Sequence, residues 1–236
     1  QKTGKKYDTR SKFEVYTDQL KIDIGTVLTV YPFSRLNKKN NLFPLSGISN
    51  SNTLYCNKNG YFVNYQSDRY GFNNPDKEWD QEEIEFLLLG DSFLHGACVN
   101  RPNDITSVLR NLSNKSALNL GYAGNGPLIQ LATLKEYLNT NVKKVIWFYY
   151  EGNDLYNLKN EIENDLLNKY LININFKQNL QEKQNQINKL GKQRINDFLL
   201  TKHEIGAKTS ARLIKVIKLR RLRKMIMKTS IPQPKV

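Results

Sequence analysis

Apolar and polar positions along this chain fall into short, strongly patterned blocks. Ile84–Leu89 is apolar apart from Glu85, has the length of a buried strand and stops at Gly90. Residues 106–111 and 128–138 carry apolar positions at helical spacing, while 117–120 and 142–150 are apolar runs of strand character. Strand, helix, strand, helix, strand in this order predicts an α/β fold, with parallel strands joined by crossover helices. Upstream, residues 53–56 and 61–65 favour β structure and are separated by Asn57-Lys58-Asn59-Gly60. This spacing predicts a hairpin whose Asn-Gly pair tolerates positive φ. Asp68-Arg69-Tyr70-Gly71-Phe72-Asn73-Asn74-Pro75 is a second turn-rich stretch. From Leu155 onward the pattern is helical and polar, with Gln and Asn crowded between Gln178 and Gln186. Three zones result: a β-rich N-terminal extension (1–80), an α/β domain (81–200) and a basic segment (201–236).

Composition changes this picture at two points. A net charge of +14 would suggest a nucleic-acid partner if it were spread over the fold. Instead, residues 201–236 hold eleven Lys or Arg against one acid, Glu204, leaving only +4 on the other 200 residues. Leu213, Ile214, Val216, Ile217, Leu219, Leu222, Met225 and Ile226 recur there near helical spacing, and Pro232 and Pro234 end the pattern. The segment reads as a basic amphipathic helix, either packed on another part of a larger protein or touching a membrane surface through residues 206–229. No nucleic acid is expected. The second point is Cys56 and Cys98, too few for a disulfide framework and expected as two buried free thiols.

No run of eighteen apolar residues suits a transmembrane helix. The chain opens on Gln without a signal-peptide pattern, so its natural start is expected upstream. A signal or anchor there would place the protein in an envelope or periplasm; otherwise the cytoplasm is expected.

The chemistry sits in the turns that end the three predicted strands. The first is Gly90-Asp91-Ser92. The second is Asn119-Leu120-Gly121-Tyr122-Ala123-Gly124-Asn125-Gly126, and the third is Glu151-Gly152-Asn153-Asp154. In a parallel sheet all three emerge at the carboxyl edge, where open α/β sheets place ligands. A hydroxyl, a glycine-rich backbone and a side-chain amide would meet there, the parts of a nucleophile and an oxyanion hole.

These three blocks resemble the first three sequence blocks of the SGNH (GDSL) hydrolases, and the likeness covers residues 84–160. The stretch from Cys56 to Asp76 also looks like a segment that precedes the domain in some bacterial members. The resemblance implies a flavodoxin-like three-layer α/β/α fold, incomplete at its C-terminus, and a serine-dependent esterase. Ser92 would be the nucleophile. The N–H groups of Ser92 and Gly124 and the amide of Asn153 would hold the oxyanion, with Gly124 preferred over Gly121. Gly90, Asp91, Gly152 and Asp154 would shape and brace the loops. Expected substrates are ester-bearing small molecules or acylated polysaccharide. An O-acyltransferase of the same fold, a non-catalytic carbohydrate-binding relative and a membrane- or nucleic-acid-binding protein working through its basic tail are the alternatives.

The family's late Asp-x-x-His is absent from the sequence, whose histidines are His95 and His203. His95 is expected on a helix face or pocket wall and His203 in an exposed polar segment. The chain therefore looks like the front part of a longer enzyme, inactive by itself. No cofactor or metal is expected: the cysteines lack zinc spacing and the glycine-rich turn lacks the dinucleotide fingerprint. Trp147-Phe148-Tyr149-Tyr150 reads as strand core.

Overall fold

The computed structural model describes residues 7–36 and 41–201. His203 and the basic segment at 206–229 lie outside the described residues. The chain divides into two compact units, Gln1–Lys192 and Gln193–Val236. The expected extension and most of the expected α/β domain share the first unit. Of the second, the described residues 193–201 are helical.

The extension opens on helix α1 (Lys12–Leu20), set by its N-terminus more than by an apolar stripe. Ser11 and Glu14 form a capping box: Glu14 N–H donates to Ser11 Oγ at 3.2 Å and Ser11 N–H to Glu14 Oε2 at 2.7 Å. Strand β1 (Val27–Leu28) runs parallel to β2 (Asn52–Leu54), which pairs antiparallel with β3 (Asn64–Gln66). Bonds from Tyr55 N–H to Val63 O and from Val63 N–H to Cys56 O carry this pairing to the expected turn. Gly60 takes φ +87° there. The extension is nevertheless less β-rich than its residues suggest. Its strands are two or three residues long, and side chains, not ladders, hold most of it.

The chief of these is Asp68, fully buried. Its Oδ1 accepts the N–H groups of Tyr70 and Phe72, both at 2.9 Å. Its Oδ2 accepts Asn74 Nδ2 at 2.9 Å and Trp79 Nε1 at 2.8 Å. Burial pushes the carboxyl up to about 6, opposed by these four donors. Asn74 passes the order on. Its Nδ2 donates to Asn119 O at 2.9 Å, and its Oδ1 accepts Asn119 N–H at 2.8 Å.

Asn119 ends the second strand of the parallel sheet. That sheet has β4 (Ile84–Leu89) at its centre, flanked by β5 (Ala117–Asn119) and β6 (Val142–Trp147), all parallel. Short helix α2 (Ser92–His95) and α3 (Ile105–Ser113) connect the first pair, and α4 (Pro127–Tyr137) connects β5 to β6. The strand side chains alternate between two apolar clusters. Leu88 and Ala117 pack with Leu94 and Leu109, whereas Leu87, Leu89 and Leu118 pack with Leu128, Ile129 and Ala132. Helices therefore cover both faces, as parallel strands require. Helices α5 (Asp154–Glu161) and α6 (Asp165–Ile172) follow, both against α4.

Two expectations fail. β6 stops at Trp147, and Trp147, Tyr149 and Tyr150 are about half exposed instead of forming strand core. The reason is position: β6 pairs with β4 only, so its residues have strand neighbours on one side among the described residues. Cys56 and Cys98 are not free thiols but form a disulfide, with Cα atoms 5.2 Å apart. The hairpin folds over the segment after α2 and brings together residues 42 apart in sequence.

Asp68→Ala would remove the acceptor of four hydrogen bonds, three of them buried, and is expected to destabilise the fold by about 3 kcal/mol or more, measured by urea unfolding. Reducing the disulfide should lower the unfolding free energy by about 4 kcal/mol for a closed loop of this length, read by unfolding with and without reductant.

Candidate active site

Gly90 lets the end of β4 approach its neighbours closely. A Cβ there would stand 3.0 Å from Leu94 Cβ and 3.1 Å from Phe148 Cβ. Asp91 then caps α2, its carboxylate accepting Phe93 N–H at 2.9 Å. Ser92 is the first helical residue and is partly exposed. Neither its Oγ nor its N–H has a hydrogen-bond partner among the described residues.

The second turn is anchored at both ends. Asn119 Nδ2 donates to Leu94 O at 2.7 Å, and Asn119 Oδ1 accepts Gly121 N–H at 2.8 Å. Gly121 is thus a packing residue: its N–H is taken, and a Cβ would meet Leu94 and the His95 nitrogen within 3 Å. Gly124 differs. It takes φ +79°, lies partly exposed, and donates its N–H to no protein acceptor among the described residues. Phe33 of the extension covers it so closely that a Cβ would stand 2.2 Å from the ring. At the far end, Glu161 of α5 accepts Gly126 N–H at 2.6 Å, Leu128 N–H at 2.9 Å and Ile129 N–H at 3.2 Å. This carboxylate is buried, and burial raises it to about 7 against the pull of the three N–H groups.

Asn153 occupies the N-cap position of α5, yet its side chain makes no capping bond. Its Oδ1 is buried without a partner among the described residues. Asp154, fully buried, accepts Tyr150 N–H at 2.8 Å. Burial raises this carboxyl, the Tyr150 bond opposes the rise, and the charge of Asp91 adds to it. The first and third turns are in contact, the Phe93 and Tyr150 rings lying 5.0 Å apart. Gly126 packs on Asn157 of α5 and so joins the second turn to the third. Gly152 is exposed, its Cα against the Tyr150 ring.

His95 is fully buried, not on a pocket wall. Its ring lies between Tyr55 and Tyr122, both at 4.3 Å. Nδ1 accepts Ala123 N–H at 3.2 Å, which leaves Nε2–H to donate to Tyr65 Oη at 3.0 Å. Burial, with a smaller push from the charge of Lys12, lowers its pKa to about 3. Both nitrogens are committed, so this histidine cannot serve Ser92 as a base. Among the described residues no cluster of three His, Cys, Asp or Glu could hold a metal ion.

The residues that brace the site carry little signal in the sequence. Asn73 Nδ2 donates to His95 O at 3.0 Å, while Asn74 holds Asn119, so one dipeptide in a turn braces two site loops. The only signal is its place in the turn-rich stretch. Glu161 lies 35 residues after the glycine it holds and carries none.

No family model, curated protein or solved structure matches the chain.

A depressed folded-state pKa makes the His95 contribution to stability full above its unfolded value near 6.5 and lost as pH falls toward about 3. Nitrogen-15 spectra should therefore show a neutral, Nε2-protonated His95 ring at pH 5. Titration near 6.5 would contradict this packing.

Proposed function

We propose that the protein is a serine-dependent ester hydrolase of the SGNH type, with a flavodoxin-like α/β/α fold around its parallel sheet. One observation carries the reading. At the carboxyl edge of the sheet, the Ser92 hydroxyl, the N–H groups of Ser92 and Gly124 and the Asn153 carboxamide have no protein partner among the described residues. Gly121, the alternative donor, spends its N–H on Asn119. Unpaired donors aimed at one edge are what an oxyanion hole requires.

In this reading Ser92 Oγ attacks the carbonyl carbon of an ester. The carbonyl π electrons move to oxygen, where the Ser92 and Gly124 N–H groups and Asn153 Nδ2 hold the negative charge. A general base takes the hydroxyl proton and returns it to the leaving alcohol, producing an acyl-serine. Water then attacks the acyl carbon and releases the acid; a sugar hydroxyl in its place would make the same site a transferase. Asp91 and Asp154 position the loops and take no proton. The Cys56–Cys98 disulfide supports an oxidising, envelope-side location, where acylated polysaccharide is the substrate class that fits.

The base is not His95, whose nitrogens are both engaged. With His95 engaged, the protein should turn over p-nitrophenyl acetate about 10⁴-fold below a serine hydrolase whose base is in place. Added imidazole should raise the rate, and Ser92→Ala should abolish that increment. Asn153→Ala should cut it by about 10²-fold or more. An increment untouched by Ser92→Ala would overturn the assignment.

A further inference from the structure

An open cleft of about 470 Å³ lies between the start of α1 and the β2–β3 hairpin, within the range of small-molecule sites. Arg10, Lys12, Tyr31, Tyr55, Asn57 and Phe62 are among its lining residues. Three of its polar side chains, Asp8, Arg10 and Asn57, are already engaged. Arg10 is held by Asp8 at 2.6 Å and Asp18 at 2.9 Å. Asn57 donates to Asp8 O at 2.9 Å and accepts Gly60 N–H at 3.0 Å.

Lys12 is the one cation of the cleft without an ion pair among the described residues. Its ammonium has no ion pair or hydrogen bond among the described residues and faces the Tyr31 ring at 5.9 Å from the centroid. Burial without a counter-ion lowers its pKa to about 8. An ammonium kept this way costs folding free energy, which an arriving anion would offset.

The cleft also adjoins the candidate site. Tyr31 stacks on Phe33 at 5.5 Å, and Phe33 is the ring that covers Gly124. Tyr55 stacks on His95, three residues from Ser92. The disulfide fastens Cys56, another lining residue, to the segment after α2.

We propose that this cleft is a subsite for an anionic group, a carboxylate or a phosphate, on a saccharide substrate, with Lys12 as its counter-charge. The proposal rests on the reading of Ser92 as a nucleophile for acylated saccharide, but its test does not depend on turnover.

The 236-residue protein is titrated with glucuronate, glucose 6-phosphate and glucose, and binding is followed by amide chemical shifts. At least one charged sugar should produce saturable shifts around Lys12 and Tyr31, and glucose should bind far more weakly. Whether glucuronate or the phosphate binds better identifies the anion. Lys12→Met should weaken binding about tenfold or more and Lys12→Arg should largely retain it. Ser92→Ala should leave it unchanged, so loss of Ser92-dependent chemistry and loss of anion binding are separate results. Lys12→Met should unfold at no lower temperature than the parent, because it removes an unpaired charge. Binding that survives Lys12→Met, glucose bound as tightly as the acids, no saturable shift with either acid, or a marked fall in Tm would each overturn the proposal.

Discussion

Asp68 is the constraint on which the rest of the structure leans. A carboxylate with no exposure is costly unless its lone pairs are used, and here four donors use them. The donors come from three places: the backbone of its own turn, the Trp79 indole and the Asn74 amide. Satisfying one acid therefore fixes the turn, seats an aromatic ring and aims Asn74 at the backbone of β5. Because Asn74 closes on both the N–H and the C=O of Asn119, the extension behaves as an added layer on the end of the sheet. Asn73 makes the parallel contact to α2.

The bracing has a pattern. Around the three turns, polar groups that hold loops are paired: Asp91 to Phe93, Asn119 to Gly121 and Leu94, Asp154 to Tyr150, Glu161 to three N–H groups. Without partners among the described residues are the Ser92 hydroxyl, the N–H groups of Ser92 and Gly124 and the Asn153 amide, together with one oxygen each of Asp91 and Asp154 and the Asn125 amide. Buried polar groups without partners are uncommon in folded proteins. Glu161 matters here for a geometric reason. It stands on α5, which begins at Asn153, and grips the turn that contains Gly124, so one carboxylate links the second turn to the third.

The extension also forms a wall of the candidate site. Phe33 lies over Gly124, Tyr55 and Tyr65 enclose His95, and the disulfide pins the hairpin to the chain beyond α2. A histidine close to a serine nucleophile invites a catalytic role, yet this one is a core residue with its Nδ1 lone pair given to a backbone N–H. Its aromatic surroundings, not its sequence distance from Ser92, decide that.

Local patterning determined much of this protein. The apolar run ending at Gly90 forms β4 with the expected bounds, the helices at 105–113 and 127–137 lie within two residues of their periodic blocks, and the hairpin turns at its Asn-Gly pair. These features follow from spacing and backbone preference, which are carried by neighbouring residues. The order of strands and turns likewise brings Ser92, Gly124 and Asn153 to one edge. Tertiary structure decided the rest. Whether Trp147 is core depends on β6 having one strand partner. Whether Cys56 meets Cys98 depends on where the hairpin lands. Whether Gly121 or Gly124 keeps a free N–H depends on which one Asn119 reaches. Each is a contact between residues brought together by the whole fold, and no local period encodes it.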